Sequence, residues 1–219
     1  MLLLNGSTNQ PCYFESDNGT TKGNVILNNC VLDNYGAGYN MNGFSTNGIK
    51  DIKLFNCRAF NIIRDGFNYH NTQQVNGGGT VFEYNCHAEN TGLDPDTGNN
   101  NISSAHEGIH IIRVHTTGQR SKGPLIADVN GCYSLNIDCF VSDTGIESLV
   151  LQNSAFYFDD KPGTYASDPN GKAWLINCGG GSSTEWGINA DESFKTGGKI
   201  FIDNFKGTNI PDDVNLTLL

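Results

Sequence analysis

Leu54-Phe55-Asn56-Cys57 recurs as Leu27-Asn28-Asn29-Cys30, Glu83-Tyr84-Asn85-Cys86 and Leu175-Ile176-Asn177-Cys178. Val129-Asn130-Gly131-Cys132, Leu151-Gln152-Asn153-Ser154 and Ile202-Asp203-Asn204-Phe205 read as degenerate copies. Taking the last residue of each phrase as an anchor gives positions 30, 57, 86, 132, 154, 178 and 205, with steps of 27, 29, 46, 22, 24 and 27. Fixed periods of this size mark solenoids, in which each repeat stacks on its neighbours. The step of 46 reads as one coil carrying long loops, with Thr91 to Ala105 and Thr116 to Lys122 as irregular insertions.

The residues around the anchors fall into columns. Five before stand Val25, Ile52, Val81, Ala127, Leu149, Ala173 and Ile200; three before stand Leu27, Leu54, Glu83, Val129, Leu151, Leu175 and Ile202. This alternation is the period of a strand with one face inward. The residue just before each anchor is Asn or Gly, the types that best tolerate a turn with positive φ. Asn34, Asn61, Asn90 and Asn136 align four residues after the anchor as a stacked ladder. Glu83 breaks its column, and the cost of burying a carboxylate favours a bulge or slip that turns Phe82 and Tyr84 inward. A second strand aligns Gly38-Tyr39-Asn40-Met41, Gly66-Phe67-Asn68-Tyr69, Gly108-Ile109-His110-Ile111 and Cys139-Phe140-Val141-Ser142. Tyr39, Phe67, Ile109 and Phe140 then point inward, with Asn40, Asn68, His110 and Val141 outward. The expected architecture is all-β: a single-stranded right-handed parallel β-helix of about seven to eight coils, one domain over residues 1–219.

The 219-residue chain has a formal net charge of −10. That balance argues against nucleic acid, whose binding rests on basic contacts. It leaves room for a local basic cluster, and Arg58, Arg64, Arg113 and Arg120 all lie mid-chain. No stretch is long and apolar enough for a membrane helix. Met1-Leu2-Leu3-Leu4 is too short for a signal peptide. Of the seven cysteines, Cys30, Cys57, Cys86, Cys132 and Cys178 fall in one inward column, which favours free thiols acting as small apolar groups. No Cys/His spacing indicates zinc, and the expectation is that no metal is required.

Three acids, Asp65, Glu107 and Asp138, stand just before the aligned second strands. Parallel strands lie about 4.8 Å apart, so successive acids are expected about 5 Å apart and the outer two about 10 Å. Carboxyl pairs at about 5 Å suit retaining glycosidases and pairs at about 6.5–9.5 Å inverting ones. Crowding also raises one member's pKa and makes it a proton donor. Glu107 is the expected general acid, with Asp65 or Asp138 as base or nucleophile. His110, Asn68, His70 and His106 are expected beside them to bind sugar hydroxyls, with Arg113 holding an anionic substrate group. The competing readings are turn caps and a Ca²⁺ ion held by Asp65 and Glu107. Trp174 and Trp186 are packing residues or sugar platforms.

The Asn-Cys turns and the Asp65-Gly66-Phe67 strand start, repeated over nearly the whole chain, resemble the pectate-lyase-like superfamily of right-handed parallel β-helices. That superfamily includes polysaccharide lyases, polygalacturonase-like hydrolases, C5-epimerases and bacteriophage tailspikes. The free-thiol column and the acidic, Asn/Gly-rich composition look most like a phage tail appendage. The resemblance implies a polysaccharide substrate, a virion-tail or extracellular location and a homotrimer. The alternative is a non-catalytic shaft or glycan-binding adhesin; a Ca²⁺-dependent lyase is a further one. The signature Asp-Pro-His of alginate epimerases is absent, since Asp94-Pro95 is followed by Asp96.

Overall fold

The computed structural model describes residues 12–15, 23–34, 42–71, 79–93, 101–121, 126–144, 154–159, 171–180, 186–191, 194, 197–207, 210, 212, 214 and 216–219. The strands form three parallel sheets that the chain visits in rotation, A then B then C. Sheet A holds Cys12–Glu15, Phe44–Asn47, Phe67–His70, Ser103–Ala105, Ile126–Val129, Ser154–Asp159 and Trp186–Ala190. Sheet B holds Asn24–Asn28, Asp51–Phe55, Thr80–Tyr84, His110–Val114, Tyr133–Ile137, Lys172–Ile176, Lys199–Asp203 and Leu216–Leu218. Sheet C holds Val31–Asp33, Arg58–Ile62, His87–Thr91, Thr117–Ser121, Phe140–Thr144, Gly179–Gly180 and Lys206–Gly207. Each strand pairs with its equivalents one coil away, which makes a right-handed parallel β-helix.

The Asn of the recurring phrase sits at the corner between sheets B and C. Asn29, Asn56, Asn85, His115, Asp138, Asn177 and Asn204 all have φ between 49° and 55° there. A left-handed residue costs most side chains about 1–2 kcal/mol, and Asn tolerates it best after Gly. The Asn amides also bond from coil to coil: Asn85 Nδ2 donates to Asn56 Oδ1 at 2.7 Å and Asn204 Nδ2 to Asn177 Oδ1 at 2.8 Å. A second ladder runs along sheet C, where Asn90 Nδ2 donates to Asn61 Oδ1 at 2.7 Å. Asn136 does not belong to it.

The anchor that follows the Asn points inward. Register aligns Cys57, Cys86, Thr116, Cys139 and Cys178, each buried, with Phe205 after them. All seven cysteines are free thiols. The column therefore takes Thr116 and Cys139 where spacing pointed to Cys132. His110–Val114 is a full sheet-B strand paired to Thr80–Tyr84 on one side and Tyr133–Ile137 on the other. From Cys86 the anchors are thus Thr116, Cys139 and Cys178, giving coils of 30, 23 and 39 residues where spacing gave 46, 22 and 24; Ser154, also expected as an anchor, opens a sheet-A strand instead. Thr117–Ser121, expected as an insertion, is a sheet-C strand. Cys132 belongs to the corner between sheets A and B. Tyr39, Asn40, Leu149 and Leu151 lie outside the described residues.

Inside, sheet B contributes Ile52, Val81, Ile111, Ser134, Ala173 and Ile200 in one row. The next row reads Leu54, Glu83, Arg113, Asn136, Leu175 and Ile202. Glu83 is therefore in register and fully buried, with neither bulge nor slip. Phe82 and Tyr84 face outward. The other inward alignment fails at Phe140, which is 40% exposed, while Val141 is buried.

Candidate functional site

The outward face of sheet A is polar in the middle coils. Ser45, Asn68 and Ser104 form one row and Asn47, His70 and His106 the next, because every second residue of these strands turns away from the core. Ser45, Asn68 and Ser104 are buried despite facing outward.

Asp65 closes the upstream end of this face. Its register partners are Asn42 and Asn101, in the corner before sheet A. Asp65 N–H donates to Asn42 Oδ1 at 3.1 Å, and Asn101 N–H donates to Asp65 Oδ1 at 2.7 Å. Asn68 Nδ2 donates to the other oxygen at 2.7 Å and Ser104 Oγ donates to it at 3.3 Å. Burial pushes the carboxyl up from its usual range, against the pull of these donors. Asp65 is a fully buried cap that ties three coils together.

Ser104 fixes the protonation of its neighbour. A hydroxyl has one hydrogen and two lone pairs. Ser104 gives the hydrogen to Asp65 and accepts from Asn68 Nδ2 at 3.0 Å. Its second lone pair faces His106 Nε2 at 3.2 Å. Nε2 therefore carries the hydrogen, and in the neutral ring Nδ1 keeps the lone pair. Burial, and His70 beside it, hold His106 well below the usual histidine range. The two imidazoles stack with centroids 4.1 Å apart and planes 17° apart.

Glu107 follows in the corner between sheets A and B. It has φ 54°, aligned with Asn130 at 59°. A glutamate in a left-handed slot is costlier than the Asn or Gly found at comparable corners, and such outliers gather at functional sites. His70 Nδ1 lies 3.2 Å from both carboxylate oxygens, and Asn71 N–H donates to Oε2 at 2.9 Å. Glu107 is only 8% exposed, while the His70 side chain is 30% exposed. One nitrogen or oxygen from each of His70, His106 and Glu107 lies within 4.8 Å of the others. Two imidazoles and a carboxylate in one partly open place can bind hydroxyls, exchange protons or ligate a cation.

The expected row of three acids does not exist. Asp65 lies in the corner before sheet A, Glu107 in the corner between A and B, and Asp138 in the corner between B and C. In register, Glu107 matches Asn71, six residues downstream of Asp65, or roughly 15–20 Å of extended chain. Anchoring on Cys132 and Ser154 in place of Thr116 and Cys139 shifted the register and made three corners look like one. Asp138 replaces Asn in the corner ladder: it accepts from Asn177 Nδ2, and His115 Nε2 lies 3.7 Å from its other oxygen. Asp65 and Glu107 are not placed to share a Ca²⁺ ion.

Of the expected substrate-binding residues, His70 and His106 join Glu107, while Asn68 is buried behind them on Asp65 and Ser104; Ser104 and Asn71 were missed. His110 faces outward from sheet B with its ring 4.9 Å from Tyr133. Trp174 stacks on Phe201 on that same outer face, at 5.1 Å. The Trp186 side chain lies outside the described residues.

Arg113 points into the core. Its Nη1 and Nη2 donate to the two oxygens of Asp128 at 2.9 and 2.8 Å, Nε donates to Ser103 Oγ at 2.8 Å, and Nη1 also reaches Asn136 Oδ1 at 3.2 Å. Glu83 lies 3.7 Å from Nε and accepts from Tyr69, Ser103 and Thr116 hydroxyls at 2.7–2.8 Å. Burial opposes the Arg113 charge, but Asp128 and Glu83 outweigh it and raise the guanidinium above its usual range. This side chain is fully buried and cannot meet a substrate. The sequence carried one sign of the cluster: Glu83 and Arg113 both interrupt apolar alternation.

No protein-family model, curated protein or solved structure matches the chain.

Proposed function

We propose that the chain is a polysaccharide-acting parallel β-helix of the tail-appendage type, engaging a bacterial surface glycan along the outward face of sheet A. The observation that carries this reading is the Glu107–His70–His106 cluster: a carboxylate in a left-handed corner, beside two imidazoles on a polar face. A solenoid of this kind presents a long flat face that suits an extended polymer. In this proposal Glu107 exchanges a proton with the glycosidic oxygen and the imidazoles hold sugar hydroxyls. The homotrimer and the virion-tail or extracellular location belong to the same proposal.

A non-catalytic glycan-binding role is the second reading. It is favoured by the engagement of Asp65 and Asp138 in corner bonds, which leaves Glu107, among the described residues, without a partner carboxylate of the kind paired glycosidases use.

The test is reducing-end release from a panel of capsular and O-antigen polysaccharides by wild type and Glu107→Gln. Release by wild type and loss in the variant is the expected result. Equal release by both removes Glu107 from the chemistry. Binding without release selects the adhesin reading, and ultraviolet absorbance from an unsaturated product identifies a lyase.

A further inference from the structure

We infer that His70, His106 and Glu107 form a binding site for a divalent transition-metal ion of the zinc, cobalt or nickel class. The inference shares residues with the proposed glycan site but does not depend on any reaction there. With the ion bound, Glu107 is a ligand, and the ion faces whatever enters the cluster from solvent.

The first argument is the donor set. Two imidazole nitrogens and a carboxylate oxygen make an N₂O set, the combination that holds zinc in many three-ligand sites with a further position open. Imidazole also suits copper, nickel and iron, whereas Ca²⁺ takes six to eight oxygens. The cluster offers too few oxygens for Ca²⁺.

The second argument is the support behind His106. A metal-bound histidine almost always donates its other ring N–H to a fixed acceptor, which sets tautomer and ring orientation. His106 already does so. Its Nε2–H meets Ser104 Oγ, and Ser104 in turn donates to Asp65, itself held by the Asn101 N–H. The relay leaves Nδ1 as the lone-pair nitrogen. Glu107 is likewise held, by Asn71 N–H on Oε2.

The third argument concerns fit. Metal–nitrogen bonds of about 2.0–2.1 Å place donors on one ion about 3–3.5 Å apart, whereas one ring nitrogen of each histidine and one Glu107 oxygen lie within 4.8 Å of each other. Imidazole lone pairs lie in the ring plane, so two stacked rings do not aim at one point. One ring must turn. His106 is held by Ser104, whereas His70, whose side chain is 30% exposed, is hydrogen-bonded, among the described residues, only to the Glu107 carboxylate it would share the ion with. His70 is therefore the mobile ligand. Ion binding exchanges its hydrogen bond to Glu107 for joint ligation and breaks the stack.

The experiment is titration of the folded chain with Zn²⁺ by calorimetry and with Co²⁺ by visible absorption, without glycan, under reducing conditions. Wild type is compared with His70→Ala, His106→Ala, Glu107→Gln and Ser104→Ala. Expected are one ion per chain, a Co²⁺ spectrum without thiolate charge-transfer bands, and at least tenfold weaker binding in the three ligand variants. Ser104→Ala should weaken binding about 10–100-fold as a positioning residue. His70→Ala keeps the test meaningful if a buried variant fails to fold, because its side chain is partly exposed. Millimolar Ca²⁺ should not compete. No saturable binding by wild type, thiolate bands in the Co²⁺ spectrum, or wild-type affinity in His70→Ala would each overturn the proposal. Failure here leaves the polysaccharide reading standing, and failure of glycan cleavage with ion binding intact removes only that reading.

Discussion

Two polar clusters occupy opposite faces of the same sheet-A strands. Tyr69 and Ser103 point inward to Glu83, Arg113 and Asp128, while the adjacent His70 and Ser104 point outward to Glu107 and His106. The inward cluster is closed. Arg113 makes a two-pronged pair with Asp128, and Glu83 takes three hydroxyl donors, so one buried cation serves two carboxylates and each charged group is hydrogen-bonded. The outward cluster is held at its base by Ser104, Asp65 and Asn71 but meets solvent at His70. A closed network serves the fold, whereas a supported cluster with an open side is what binding and proton transfer need.

The comparison breaks first at Arg113. Arg113→Met should destabilise the protein by about 3–5 kcal/mol, because Glu83 and Asp128 stay buried without their cation. Urea unfolding of the variant measures it. Apolar replacement of Glu83, Arg113 and Asp128 together should recover most of that loss, since a well-packed apolar set often matches a buried ion network. A triple variant less stable than Arg113→Met would mean that the network does more than balance its own charges.

Asn85→Ala should cost about 1–2 kcal/mol, because alanine is strained at φ 53° and the amide bond to Asn56 is lost. Asn85→Gly should lie between the two. A loss as small for alanine as for glycine would show that the corner relaxes.

His87, outside both clusters, gives a pH effect of known sign. Burial, and then the Arg58 charge, lower its pKa from 6.5. The neutral ring is favoured in the fold, so its contribution is fully present above 6.5 and is lost as pH falls through the lowered value. His87→Gln should therefore lose less thermal stability than wild type on acidification from neutrality. Parallel melting curves across that range would remove His87 as a source of acid sensitivity.

The smallest stability effect is expected at the outward cluster and the corner acid. Glu107→Gln should shift stability by less than about 1 kcal/mol while abolishing any glycan cleavage. Asp138→Asn should leave both nearly unchanged, because Asn is the corner residue in five of the seven turns. A loss of cleavage in Asp138→Asn with stability intact would return Asp138 to the active site.

Much of the fold was legible because the Asn-Cys phrase carries a local requirement. A left-handed corner needs Asn, and the residue after it must be small and apolar to enter a narrow core. The reading failed where those types were replaced. His115 and Thr116 take the corner and anchor positions of an entire coil, and a phrase search passes over them. The nearby Asn130-Gly131-Cys132 imitates the phrase from another corner, where φ is also positive. Two misplaced anchors, Cys132 and Ser154, then moved three acids into a false row. His70, His106 and Glu107 were still found together, because they stand at the ends of two adjacent strands.

The sequence by itself determined that the chain repeats, that it forms a parallel β-helix and that Cys57, Cys86 and Cys178 point inward, since each follows from residues close along the chain. Only the tertiary structure decided what the charged residues do. Whether Glu83 meets Arg113, or His70 meets Glu107, depends on pairings between residues 30 and 37 positions apart. Strand parity separates inward from outward with a shift of one residue. A side chain's chemistry is the same on either face; its neighbours across coils decide whether that chemistry is enclosed or available.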